Sequence, residues 1–234
     1  MGLDYNCSDG GTWEQQLAAY GSLVRALGKP KLHDLDHFYT SSLPSLLRQR
    51  RPSPFISSEE LVKVVEWKLS RGKWRPKLLS YASSLSEEEV KKASMAAFSA
   101  IPDLKAAINA LTTLKGVGPA TASAILAAGA PDVAPFMSDE AMEAVLGGVK
   151  EYTLKQYLLF ADRLQCKAKE LSKAGGKQFG PSDLERALWC AAMEKRSVKN
   201  KEGGKFELTE IEEKKAKQNK DAEKSSARKR RKRD

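Results

Sequence analysis

Apolar residues recur along most of the chain at helical spacing, and runs that alternate like a strand are nearly absent. Trp13, Leu17, Tyr20, Leu23, Val24 and Leu27 fall on one face of a helix over 13–27, which Gly28 and Pro30 end. The segment from His33 to Arg51 leads into a Pro/Ser loop that reaches Pro54. Residues 57–72 open with a serine cap and acids in the first turn, as the helix dipole favours. Residues 84–98 repeat the design, with Ser86 as cap and Glu89 at the capping-box position. A proline in the first turn starts a helix over 102–114, and further helices are predicted at 120–128, 140–146, 154–174 and 182–195, the last capped by Ser182. The pattern predicts an all-α domain of about eight to ten helices with short connections, spanning 12–196. Residues 1–11 read as a flexible N-terminal segment.

Past Arg196 the apolar stripe disappears. Residues 197–234 carry 14 Lys/Arg against 8 Asp/Glu, so this tail holds +6 of the formal +10 and the body the remaining +4. The tail is expected to be flexible. Its unbroken cationic run Arg228, Lys229, Arg230, Arg231, Lys232 and Arg233 reads as a nuclear localisation signal for an import receptor, or as a nucleic-acid arm. A basic body with a more basic tail suits a polyanion. No apolar run nears the ~20 residues that a membrane helix needs, so no membrane partner is expected. Cys7, Cys166 and Cys190 are scattered, which fits reduced thiols in a nuclear or cytosolic protein, Cys190 in the core.

One stretch calls for a reason beyond packing. In "TLKGVGPATASAILAA" a helix ends near Leu114 and another begins at Pro119, with Gly116 and Gly118 between them. A bare interhelical turn needs one glycine at most. Two glycines flanking Val117 leave backbone without side-chain cover, so that something can approach it closely. The free N–H groups of the turn and of the next helix's first turn then form a nest for an anion, with Lys115 beside them. A phosphodiester backbone fits such a nest.

The segment "LKGVGPATASAIL" resembles the helix-hairpin-helix element, with Lys115 in place of the usual proline. The region that follows, "GAPDVAPFMSDEAMEAVL", is similar to that of base-excision DNA glycosylases of the helix-hairpin-helix–Gly/Pro/Asp superfamily. The resemblance is strongest over 110–146. It implies a two-lobed, all-α, DNA-glycosylase-like body that grips double-stranded DNA through Lys115, Gly116, Val117, Gly118 and Thr121. It further implies that Asp139, nineteen residues past Ala120, is the catalytic carboxylate. Breaking an N-glycosidic bond builds positive charge on the sugar, which a carboxylate stabilises once the base has left the stack. Bifunctional relatives place a lysine nucleophile just after the hairpin; here Pro119 and Ala120 stand there, so the resemblance implies a monofunctional enzyme without lyase activity. The chain has too few cysteines for an iron–sulfur cluster, and no cofactor is implied.

"EWKLSRGKWRPK" interleaves Trp67 and Trp74 with Lys68, Arg71, Lys73, Arg75 and Lys77, a pattern of cations for phosphates and aromatics for bases. Lys73 and Arg75 are assigned to DNA contact and Trp67 to the base pocket, against the alternative that Trp67 continues the Leu61, Val64 and Val65 face into the core. Arg48, Arg50 and Arg51 are expected to extend the same surface. His33 and His37 stand at i and i+4, but no third ligand accompanies them, so no metal site is assigned. The expectation is a monomeric nuclear DNA-binding protein, an enzyme of base-excision repair or, alternatively, a non-catalytic DNA-binding adaptor. Two points stay open in the residues themselves: Asp139 as catalyst or helix cap, and the damaged base.

Overall fold

The computed structural model describes residues 3–148, 151–173 and 177–197. The chain divides into two units, Met1–Ala192 and Met193–Asp234. The second lies almost wholly outside the described residues, and with it the run Arg228–Arg233. Among the described residues every regular element of the first unit is helical, and no helix is long and apolar enough to cross a membrane.

The predicted first helix is broken in two, α1 (Gly10–Ala18) and α2 (Tyr20–Ala26). Asp9 caps α1, accepting from the Gly11 and Thr12 amides. Gly28 closes the pair at φ +63° and Pro30 starts α3 (Pro30–His37). A π-helical turn (Phe38–Ser42) then joins α3 to α4 (Leu43–Gln49), with the Leu43 amide bonded to Phe38 O. Pro44 explains the wider turn, since it offers no N–H to the carbonyl four residues earlier.

Capping boxes form as the sequence implies at α5 (Ser58–Arg71), through Ser57 and Glu60, and at α7 (Glu87–Ser99), through Ser86 and Glu89. Between them lies α6 (Pro76–Ser83), which the sequence pattern did not mark. The helix expected from Pro102 begins later: α8 (Leu104–Thr112) is capped by Asp103, whose Oδ1 accepts from the Ala106 amide. Two more sequence expectations are corrected. Ser182 is not a cap; it lies inside the helix at 181–197 and donates to the Ala134 carbonyl, while Asp183 Oδ2 accepts from the Gly180 amide. Residues 3–9, expected to hang free, lie on the body: Leu3 is buried, Tyr5 donates to Arg163 O, and Cys7 O accepts from Trp13 Nε1.

The centre of the unit is α9 (Pro119–Gly129). Every residue from Ala120 to Ala128 is buried, and α4, α5, α7, α8 and α11 (Leu154–Lys173) pack around it. A helix apolar on all sides belongs in a core, and its small residues let neighbours approach closely. The N-terminus of α9 reaches the surface beside α5 and α10 (Asp139–Leu146). That end of the core helix builds the site.

Candidate nucleic-acid interface

The turn between α8 and α9 uses its two glycines differently. Gly116 has φ +82°, and a Cβ there would lie 2.6 Å from Tyr81 Cβ on α6. The fold itself therefore requires that glycine. Gly118 has φ −96° and ψ 179°, an extended conformation open to any residue, and a Cβ there would meet nothing within 4 Å. No neighbour demands its bareness; Gly118 is the N-cap of α9, a place that glycine suits. The Val117 amide donates to Leu114 O, and the Thr121 and Ala122 amides turn back to Gly118 O. The amides of Gly116, Gly118 and Ala120 have no acceptor among the described residues. Lys115 is exposed, its ammonium 5.2 Å from the centroid of the Tyr81 ring.

These glycines border a cleft of about 250 Å³. One wall is the C-terminal turn of α5 and the loop after it, with Lys68, Arg71, Lys73 and Arg75. Pro119, Ala120 and Thr121 of α9 form a second wall, and Met137, Ser138, Asp139 and Glu140 a third; Tyr152 closes one side. Of the predicted site residues, Gly116, Gly118, Thr121, Lys73, Arg75 and Asp139 thus share one concavity. Val117 is buried, and Lys115 stands outside the wall.

The competing roles of Ser138 and Asp139 are separated. Ser138 is the cap of α10: its Oγ accepts from the Ala141 amide. Asp139 is the first helical residue, free of the capping role, and its Oδ1 accepts a 2.7 Å hydrogen bond from the Tyr152 hydroxyl. Burial, helped by this bond to a carboxylate, pushes the Tyr152 hydroxyl up to about 12. A phenol so held stays protonated and keeps donating to Asp139.

Trp67 is corrected. It does not line the cleft but is 0 % exposed, stacked on Tyr39 at 3.5 Å between centroids, and it donates from Nε1 to Asp36 Oδ1. The alternation of aromatics and cations marked the right segment, but the hydrophobic face of α5 carries Trp67 inward. Trp74, in the following loop, is the exposed one, at 51 %. Arg50 is corrected as well: it makes a bidentate pair with Glu60 at 2.6 and 2.7 Å and donates to Phe55 O, so it braces α5 instead of adding to a binding surface.

Three further residues complete the site: Lys68 and Arg71, named in the sequence only among the cations of this stretch, and Tyr152, which was missed. Arg71 lies beneath the cleft, 2.9 Å from Glu185 Oε1, with its guanidinium 4.4–5.7 Å from the ring centroids of Trp189, Trp67, Phe136 and Tyr20. Burial pushes the Glu185 carboxyl up, while Arg71 and a hydrogen bond with Ser138 draw it back. The cap of α10 is thus tied to the buried pair. Lys68, half-buried, faces the cleft; burial lowers its pKa, Arg75 lowers it further, and Asp139 opposes the shift. Tyr152 is the third. For Lys68 and Arg71 a signal was present: both fall on the helical repeat of Leu61, Val64 and Val65, where a charge is out of place. Tyr152, in a loop, left no such mark.

No family model matches the chain, and no curated protein or solved structure does so either.

Proposed function

We propose that the protein binds double-stranded DNA through the Gly116–Gly118 turn and the cations Lys115, Lys73 and Arg75, and that the cleft removes a damaged base, with Asp139 as the carboxylate. The helix-hairpin-helix and glycosylase-like assignment, nuclear residence and the import function of the tail belong to this proposal. One observation weighs most: Gly118, where a side chain would meet nothing in the fold, borders the cleft that contains Asp139. Unpaired amides at a helix N-terminus favour a phosphate, and the cations beside them add attraction that does not read sequence. Asp139 is then placed to stabilise charge developing on a sugar held at the turn.

The test is a panel of duplexes carrying uracil, alkylated or deaminated bases. One base is released by the wild-type protein, and Asp139→Asn abolishes the release. Absence of release from every duplex, with affinity retained, would leave a DNA-binding adaptor.

A further inference from the structure

The duplex reading leaves Trp74 without a role. Of the four tryptophans, Trp13, Trp67 and Trp189 are 0 % exposed, whereas half of Trp74 stands in water. An indole carries one of the largest apolar surfaces of any side chain, and the fold buries the other three completely. Trp74 lies in the link 72–75 between α5 and α6. Its neighbours Lys73 and Arg75 border the cleft, but Trp74 does not; it lines a separate groove of about 280 Å³ with Pro30, Leu32 and Leu69. Leu69 and Gly72 border both hollows, so the link is the ridge between them. Leu32 and Leu69 make the groove apolar at its base. Lys29 and Lys31, both exposed, also border it, and no acidic residue does. Lys73 and Arg75 have no ion-pair partner among the described residues.

An aromatic face beside unpaired cations takes a nucleotide in two parts, the base by stacking and the phosphate by charge. The bases of a duplex hide their faces within the stack, so an indole on the surface accepts only a base that has left it or was never paired. An apolar peptide would fit the base of the groove, but the surrounding lysines and the absence of acids select a polyanion. We propose that Trp74 and its groove hold an unpaired base of a single DNA strand, with the adjoining phosphates on Lys73 and Arg75. The site shares those two cations with the duplex reading and asks nothing of Gly118 or Asp139. It adds a single-stranded segment, such as a gap or a frayed end, to what this basic surface takes. Stacking on an indole is indifferent to the identity of the base, so the site does not read sequence.

Intrinsic fluorescence of the full chain tests this, because the other three tryptophans are sealed in the core and only Trp74 can meet a ligand. The probes are a short oligothymidine strand and a blunt duplex of the same length. The single strand should quench the emission and shield it from acrylamide, and the duplex should do neither. Trp74→Ala should abolish the quench and weaken single-strand binding about tenfold, the worth of one stacked base, with duplex affinity little changed. Trp74→Phe, which keeps a ring, should recover most of the single-strand affinity. Single-strand binding without a quench overturns the proposal, and that reading is made on the wild-type protein, so it holds even if a variant misfolds. Equal single-strand affinity in Trp74→Ala and wild type overturns it, as does an equal loss for strand and duplex. No single-strand binding at all also overturns it, and duplex binding in the same titration then leaves the duplex reading standing.

Discussion

Arg71 and Glu185 form an ion pair of 2.9 Å in which neither side chain is more than 4 % exposed. It lies directly below the cleft, and Glu185 reaches Ser138, the residue that caps the helix bearing Asp139. The pair links the floor of the site to the start of α10. Removing one partner strands a buried charge, at a cost of ~3–5 kcal/mol. Glu185→Ala should therefore show this loss in urea denaturation, whereas Arg71→Met combined with Glu185→Leu should recover most of it. Equal losses for the single and double variants would show that the pair does not act as a unit.

The two glycines of the turn should part company under substitution. Gly116→Ala puts a Cβ against Tyr81 at positive φ, and a loss of stability of ~1–3 kcal/mol is expected in thermal melts. Gly118→Ala meets open space and an extended backbone, so the melt should move little. Duplex affinity should nevertheless fall, because the methyl stands where the phosphate would approach. Unchanged affinity in Gly118→Ala would remove the turn from the interface.

Lys115 is exposed beside the turn, with its ammonium over the Tyr81 ring. Lys115→Glu should weaken binding to duplexes of any sequence. The slope of log affinity against log salt should become shallower by about one, as the loss of one phosphate contact requires. The titration is best made on a chain ending at Arg196, so that the basic tail does not mask the change.

Lys68 carries a stability signature of its own. Its pKa is lowered in the folded state, so the unfolded chain binds the proton more tightly. The penalty is present in full below the folded value and is relieved as pH rises toward 10.5. Stability should accordingly rise across that window in the wild-type protein and stay flatter in Lys68→Met. At neutral pH the methionine variant should be the more stable by ~1 kcal/mol in urea denaturation, a gain typical where a functional group burdens the fold. A less stable variant would mean that Lys68 has an unseen internal partner.

Much of the fold was legible before any coordinates. Ser57, Ser86 and the acids that follow them mark helix starts by local chemistry alone, and those starts were placed correctly. Where local signals competed, tertiary contact chose. Ser182 had every property of a cap, yet the Ala134 carbonyl, 48 residues away, took its hydroxyl. Pro102 suited a first turn, yet Asp103 accepts the amide that starts α8. The glycine turn and Asp139 were visible as short motifs. Trp67 and Trp74 were indistinguishable by composition, and only the packing of α5 against Tyr39 and Phe136 separated core from surface.

By itself, the sequence determined that this is a helical protein with a glycine turn at the start of its most apolar helix, because periodicity, capping and backbone freedom act over a few residues. Tertiary structure alone decided which glycine the fold needs, and that Tyr152 and Lys68 join Asp139 in one cleft. Those relations join residues from 13 to 71 positions apart, one by a hydrogen bond and one by charge alone, and a pattern read within a single helix carries no record of what another helix brings to its side.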